Sequence, residues 1–452
     1  MKQRLTVNHI PRLLKLAGPM ILSTSAITLM QIIDTIVLSY DSSQALAAIG
    51  PSSMAVILFQ GFLFGTAGYA GTFVAHNHGH GNPQGVVSSA WLGIYTALAS
   101  GIVALLAAWP LAQLFLLTGH EPQVARDEQT YFWICMAGSF FPVFGSALAG
   151  WLSGIGRPAL VTVVTFISLV FNALLTWGLV LGEWGLPRMG IGGAALATVI
   201  AQSVAALLYA FLFARSGGFR NSVARRLDRV EFRRFLSLAA PMGLRISGEL
   251  AAWTLFLVIV GRLGIVELAA SSIAFRINGI AFFPALGLGQ AAGILVGHAR
   301  GAGRDDEVPA IAWQSLAVCE VWMLLMATLF ATAAGPLYSV FAGNSPETAG
   351  IIATGTLLMK FVAVYCIFDA ANVMIGCVLA SAGETRWIAR TFLIATSIFV
   401  ALLLLIDRNM PGLVAEWTLA TGFVFCTAVV WLLRFRTGHW RKIQIVRNPA
   451  II

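Results

Sequence analysis

"LAGPM" at residues 16–20 is answered by "LAAPM" at residues 238–242, a spacing of 222. The match continues at the same spacing. "ALAA" (45–48) meets "ELAA" (267–270), Gly65 meets Gly287, Gly71 meets Gly293, and "VAHNHGHG" (74–81) meets "VGHARGAG" (296–303). Farther on, "GWLSGIGRP" (150–158) resembles "GCVLASAGET" (376–385) at a slightly larger spacing. The chain is built of two homologous halves that follow each other.

Composition says what each half is made of. The 452 residues are 58% hydrophobic and 10% charged, with a mean hydropathy of +0.84. A soluble chain runs at about 45–50% apolar and about 25% charged. The 45 glycines suit close helix–helix contact in lipid. Apolar stretches of roughly 20 residues, long enough to cross a bilayer, fall near 14–38, 50–75, 88–115, 130–154, 158–182, 190–214, 236–260, 270–297, 309–334, 353–381, 387–406 and 412–433. "GIGRP" reads as a tight turn between the fourth and fifth, with Pro158 opening the next helix. The expected fold is therefore all-α: a polytopic membrane protein with 12 transmembrane helices in two six-helix lobes. The lobes are residues 1–214 and 236–452, joined by a basic linker, 215–235. Six spans is an even number, so both halves enter the membrane from the same side. Parallel repeats of this kind place substrate and ion sites near the repeat interface, in a central cleft.

The net charge of +9 raises nucleic acid as a partner, and the placement of the charges excludes it. Of the 28 basic residues, 21 fall in the two ends and the even-to-odd loops, including Arg215, Arg220, Arg225, Arg226, Arg229, Arg233 and Arg234. The opposite loops hold four, Arg126, Arg188, Arg262 and Arg408, and three lie within spans, Arg245, Arg276 and Lys360. This asymmetry orients the chain with both termini cytoplasmic, with the surplus available to anionic lipid headgroups. The start, "MKQRLTVNHIPRLLKLAGPM", has no short apolar core followed by a cleavage site and reads as a retained cytoplasmic end. Cys135, Cys319, Cys366, Cys377 and Cys426 all sit in apolar runs without a CxxC pair and read as small buried hydrophobes. "HNHGHG" spaces His76, His78 and His80 two apart, as a metal site on an extended segment would. Its repeat partner is "HARGAG", and no Asp, Glu or Cys is near, so a polar glycine-rich loop is the better reading.

Asp34, Glu249, Glu320 and Asp369 are acidic residues that lie within spans. A charge at a helix centre costs roughly 2.5–3.5 kcal/mol on insertion scales, and such groups face a cavity or a partner. Asp34, in "LMQIIDTIVLSY", has no basic residue in its span and shares a helix face with Gln31. Asp369, in "YCIFDAANVMIG" (365–376), forms a polar stripe with Tyr365 and Asn372. An oxygen-rich face in a dry surround is what a cation site or proton relay needs. Glu249, in "RISGELAAW", is either part of such a site or paired with Arg245 one turn earlier. Two carboxylates that approach in low dielectric do not both stay ionised without a cation, so Glu249 with Asp369 would accept a proton or sodium. Glu320, in "LAVCEVW", has no polar stripe and reads as a partner for Lys360 or Arg276. Nothing points to catalysis: there is no G-x-S-x-G, HExxH or Walker glycine loop, and no long soluble segment.

Twelve spans in two halves, "QIIDT" (31–35), "FNALLTWGLV" (171–180), "GAALAT" (193–198), "GELAAW" (248–253) and "YCIFDAANVMIGCVLASAG" (365–383) together resemble the multidrug and toxic compound extrusion (MATE) family. Glu249 with Asp369 looks most like its NorM-type branch. The resemblance implies export of organic, often cationic compounds against an inward flow of Na⁺ or H⁺, with no cofactor. It implies an N-lobe cation or proton site at Asp34 with Asn172 and Thr198. It also implies a C-lobe site at Glu249, Tyr365 and Asp369. Related members often carry a second carboxylate one turn after the asparagine. Here Thr176 stands there, which favours Asp34 as a proton carrier over a full sodium site. Residues 407–433 match the "GAALAT" pattern poorly. The rival readings are a flippase for lipid-linked saccharides on a related fold, a membrane-embedded enzyme using Glu249 and Asp369, and an ion channel. Twelve spans, acidic mid-membrane groups and duplicated halves within one chain disfavour each in turn. Short loops without N-x-S/T sequons suit a bacterial inner membrane, and a monomer that takes drugs and lipid as its partners.

Overall fold

The computed structural model describes residues 8–117, 119–341 and 347–446. Lys2, Arg4 and Arg447 of the basic ends lie outside the described residues. Among the described residues there are α-helices and short 3₁₀ turns but no strand. The chain divides into two compact units, residues 22–247 and residues 1–21 with 248–452. The first contains most of α1 (Ile10–Asp41), then α2 (Ser43–Gly68), α3 (Ala70–Gly79), α4 (Pro83–Ala112), α5 (Pro122–Ala137), α6 (Phe140–Gly154), α7 (Pro158–Leu181), α8 (Gly190–Arg215) and the start of α9 (Arg229–Val260). The second takes the rest of α9 and α10 (Ile265–Gly301), α11 (Val308–Thr332), α12 (Ala334–Phe341), α13 (Thr348–Ser381), α14 (Thr385–Asn409) and α15 (Leu413–Arg436). Among the described residues, eleven stretches of helix are long and apolar enough to cross a membrane, and the pair α5 and α6 makes up to twelve.

That pair is where the expected straight fourth span departs from the sequence reading. The helices bend by 46° at Gly138 and Ser139. A side chain at 138 would stand 2.6 Å from Val199 of α8, so only glycine lets α5 lie against it. Gln60 of α2 reaches into the break. Its Nε2 donates to Ser139 Oγ at 2.9 Å and to the Cys135 carbonyl at 3.3 Å. A bend inside lipid needs such partners because water is not there to supply them. The histidine segment also differs from its reading. It is helical through Gly79, and Gly81, with φ +71°, makes the turn. Residues two apart on a helix point to different faces, so His76 and His78 do not share one. The "GIGRP" turn is as expected: α6 stops at Gly154, Gly156 has φ +77°, and Pro158 opens α7.

The repeated glycines mark where helices touch backbone to backbone. A Cβ on Gly71 would lie 2.8 Å from the Gly150 carbonyl oxygen, which brings α3 against α6. In the second unit, the matching Gly293 faces Ser381 of α13 at 2.5 Å. A Cβ on Gly65 of α2 would lie 2.8 Å from the Cα of Gly243 on α9, and one on its repeat partner Gly287 of α10 would lie 2.8 Å from Ile21 on α1. Residues 21 and 243 are themselves 222 apart, so this is one contact made twice. It explains why the unit boundaries fall inside α1 and α9, just after the duplicated Pro19 and Pro241.

Polar caps and ion pairs finish the helix ends. The linker is docked rather than free: Trp91 Nε1 donates to the Gly218 carbonyl, Tyr95 donates to that of Arg225, and Asp228 receives the Val230 amide at 2.8 Å to start α9. Arg188 pairs with Asp41 and Arg262 with Asp407, each at 2.9 Å. Two of the four basic residues outside the basic loops are thus neutralised locally. Just before α1, His9 is buried. Its amide donates to Gln314 Oε1 at 2.7 Å, while its Nε2 has no hydrogen-bond partner.

Two outcomes follow from this packing. Gly71→Val overpacks the α3–α6 crossing, and a loss of about 1–3 kcal/mol is expected, read as a lower unfolding midpoint of the purified protein in detergent. Burial holds the His9 imidazole below its usual 6.5, Arg12 and Arg304 push it the same way, and Glu307 opposes them. The unfolded chain then binds the proton more readily, so stability is full above 6.5 and falls as pH drops through 6.5 towards the lowered value. Unfolding midpoints measured across that range should fall for the wild type and fall less for His9→Gln.

Candidate functional site

In the first unit, one carboxyl group collects the polar side chains of three helices. Asp34 of α1 is 5% exposed. Thr176 of α7 donates to its Oδ1 at 2.9 Å, and Thr198 of α8 lies 3.4 Å from its Oδ2. Asn172, one turn before Thr176, donates to Thr198 Oγ1 at 3.3 Å. Both Asn172 and Thr176 are wholly buried, and Asn172 Oδ1 has no hydrogen-bond partner. No cationic side chain pairs with Asp34 among the described residues. The close fit of α7 and α8 sets these distances. A Cβ on Gly193 would lie 2.5 Å from the Leu179 carbonyl oxygen, so glycine is what brings the Thr198 face up to Asn172.

Thr198 has one hydroxyl proton and two acceptors in reach, Asp34 Oδ2 and the Ala194 carbonyl at 3.0 Å. An ionised Asp34 competes with that carbonyl. A neutral Asp34 removes the conflict: it donates from Oδ2 to Thr198 Oγ1, which donates on to Ala194, while Thr176 serves Oδ1. Thr176, which stands in for a carboxylate by resemblance, is thus the shortest contact of the site. Gln31 is exposed and does not bond to Asp34. Tyr131 and Cys135 of α5 are buried within electrostatic reach of Asp34 and were not singled out from the sequence. They read as apolar filler there because the face they share with Asp34 appears only once α5 is packed.

In the second unit, α10, α11 and α15 pack around α13, which carries Tyr365, Asp369 and Asn372. Asp369 is half-buried, within electrostatic reach of Tyr365, Cys366 and Cys319. Asn372 donates to the Val424 carbonyl at 3.0 Å and so ties α13 to α15, leaving its buried Oδ1 without a partner. Glu249 is half-buried on the part of α9 that belongs to this unit. Glu320 is half-buried on α11 next to Cys319, and neither Lys360 nor Arg276 forms an ion pair with it. No group of three His, Cys, Asp or Glu side chains among the described residues is arranged to hold a metal ion.

The repeat makes the two units comparable position by position. At 222 residues Asp34 corresponds to Phe256. At the 227 that relates Pro158 to Thr385, Asn172 corresponds to Phe399. Phe256 and Phe399 stack at 6.4 Å, within an aromatic cluster that includes Trp253, Phe275, Trp417 and Phe423. The first unit has an acid and an asparagine where the second has packed rings.

A bundle of apolar helices built from two repeats, with a buried acid served by hydroxyls, defines a multi-pass transporter rather than an enzyme. The comparisons name the family. The family model described as MatE matches residues 19–177 and 241–406, and the chain belongs to that family. It is similar to the "Probable multidrug resistance protein NorM" of Deinococcus radiodurans, with 30% identity over 84% of each chain. It is similar also to the protein of that name from Pseudomonas aeruginosa, with 26% identity over 96% of this chain and 90% of the relative. This places it on the NorM side of the family, among multi-pass bacterial membrane proteins. Its fold matches the structure described as "Outward-facing conformation of a multidrug resistance MATE family transporter of the MOP superfamily", with a TM-score of 0.87, 19% identity and coverage of 97% and 98% of the two chains. It also matches a MOP superfamily transporter from Pyrococcus furiosus, with a TM-score of 0.85 at 19% identity over 97% and 98%.

Thr176→Val keeps the shape of this site and removes the 2.9 Å donor to Asp34. A buried acceptor left unsatisfied costs about 1–3 kcal/mol. The unfolding midpoint should fall accordingly, and Thr176→Ser should restore most of it.

Proposed function

We propose that the chain is a multidrug efflux antiporter that exports organic, often cationic compounds in exchange for H⁺, with Asp34 carrying the proton. The observation that carries this reading is the set of hydrogen-bond partners around Asp34, whose neutral form leaves Thr198 without competing acceptors. An acid without a cationic neighbour can take a proton or a cargo cation in turn. Each ligand then stabilises a different conformation, and differential affinity drives the exchange. The lobes that move are residues 1–214 and 236–452, joined by 215–235, in a monomer with both termini cytoplasmic in a bacterial inner membrane.

Glu249, Tyr365 and Asp369 form the second place where charge is exchanged. Asp369, exposed in part and flanked by Tyr365, suits contact with an organic cation as well as with an ion. Aromatic and methionine side chains hold varied apolar cations by stacking and cation–π contact. A second reading, Na⁺ in place of H⁺, is favoured by one observation. Asn172 Oδ1 and both Asp34 oxygens are acceptors, and a sodium ion between them would satisfy the orphaned amide oxygen.

Ethidium uptake into proteoliposomes under an imposed pH gradient, then under an imposed Na⁺ gradient, separates the readings. Uptake driven by the pH gradient and reduced at least tenfold in Asp34→Asn is expected. Uptake driven by sodium alone would replace H⁺ by Na⁺. Asp369→Asn should also lose uptake, and full uptake in that variant would remove the second unit from the exchange. No uptake of a panel of organic cations under either gradient would overturn the antiporter reading and make labelled-lipid flipping the next assay.

A further inference from the structure

The start of α15 holds a carboxylic acid that the exchange described above does not use. Glu416 is 0% exposed, and neither Oε1 nor Oε2 has a hydrogen-bond partner. It stands in the first turn of the helix, after the N-cap Gly412. Only its backbone is engaged, the amide donating to the Gly412 carbonyl at 3.1 Å. Its neighbour Trp417, 1% exposed, donates Nε1 to Ser271 of α10 at 3.1 Å and packs on Phe256 of α9 and Phe361 of α13. Glu416 is thus buried at a point of the chain next to the aromatic cluster of the second unit.

A short match between α8 and α15 sets this acid opposite a glycine of the first unit. α8 begins at Gly190 and α15 at Leu413, 223 apart, and at that spacing "LAT" (196–198) meets "LAT" (419–421). Glu416 then corresponds to Gly193, whose position against the Leu179 carbonyl admits no side chain. In the second unit the same place has been opened wide enough to enclose a glutamate.

The charged groups on the surrounding helices do not neutralise it. Asp407 of α14 acts on it electrostatically with the same sign, and is itself held by Arg262 at 2.9 Å. Arg408 of α14 and Lys360 of α13 are exposed, Glu267 of α10 is half-buried in its first turn, and none of them bonds to Glu416. Glu249 of α9 lies seven residues before Phe256, about 10 Å along the helix. An ionised carboxylate with no donor, no cation and an acid nearby is costly in an apolar surround. A metal ion would need several oxygens, and Glu416 offers two with none other bonded beside them. A single proton resolves both shortages.

We propose that Glu416 is a proton-binding site of the second unit, held as the neutral acid in this conformation and able to ionise only when the first turn of α15 opens. The site stands apart from Asp34 and does not rest on the antiport reading. Losing the proton is then linked to movement of α15 against α13 and α14, the helices that enclose it.

Infrared spectroscopy of the purified full chain tests this, with glutamate carboxyls carrying ¹³C and aspartates unlabelled. At neutral pH the wild type should show a protonated-acid C=O band at the labelled position that Glu416→Gln lacks. Glu416→Asp should move that band to the unlabelled position, which keeps the test decisive if the glutamine variant folds poorly. The unfolding midpoint gives a second readout. Wild type and Glu416→Gln should agree at acid pH, and the wild type should fall behind as pH rises, because only it has a proton to lose. A wild-type spectrum without an acid band assignable to residue 416, or a midpoint difference that stays flat with pH, would overturn the proposal.

Discussion

An acid inside a membrane helix has to find its hydrogen bonds within the protein. At Asp34 that requirement reaches through most of the first unit. Thr176 and Asn172 are one turn apart on α7 and face the acid only because α8 lies close enough for Thr198 to meet them. α8 lies that close because Gly193 has no side chain to hold it off Leu179. The bend between α5 and α6 is part of the same fit. Gly138 lets α5 approach Val199 of α8, and Tyr131 and Cys135 close the pocket from that side. The surroundings of one carboxyl thus depend on two glycines, Gly193 and Gly138, that do not bond to it.

The second unit solved the same geometry without an acid at that position. Phe256 and Phe399 occupy the places of Asp34 and Asn172, and the rings around them pack edge to face at 5–6 Å, the spacing aromatic pairs prefer. Its polar groups moved to α13, where Tyr365, Asp369 and Asn372 form their stripe, and to Glu416. Duplication preserved the contacts that set the path of the backbone, such as Gly65 with Gly243 and Gly287 with Ile21, and let the interior chemistry diverge. Shape is constrained twice by one ancestral packing scheme, whereas each buried charge is constrained only by its own surroundings.

This division also governs what could be read before the structure. The helices, the repeat, the "GIGRP" turn and Asp34 were legible because hydrophobic length, glycine recurrence and a charge in an apolar run are local signals. Thr176 was legible as a departure but not as the shortest contact to Asp34, since its role depends on how α7 is rotated. The bend at Gly138 was hidden because a glycine followed by serine is ordinary in a membrane helix, and the side chain that supports it, Gln60, is 75 residues from Cys135. The histidine segment read as a polar glycine-rich loop, yet the helix runs through His76 and His78 to Gly79. The grouping of residues 1–21 with the second unit could not be read from α1 alone, which is one unbroken helix.

Glu416 fell to the same limit from the other direction. The charge of a glutamate in the first turn of an exposed helix, as after "NMPGL", ordinarily favours the helix N-terminus. That benefit assumes water at the first turn. Glu416 is fully buried with no partner at either oxygen, and the expected benefit reverses: the charge that would stabilise an exposed helix start has nothing to balance it when enclosed. Asp34 and Glu416 are then two answers to the cost of a buried acid. Asp34 has hydroxyl partners at both oxygens, Thr176 at Oδ1 and Thr198 at Oδ2. Glu416 has no such partners, so its proton and its packing must change together.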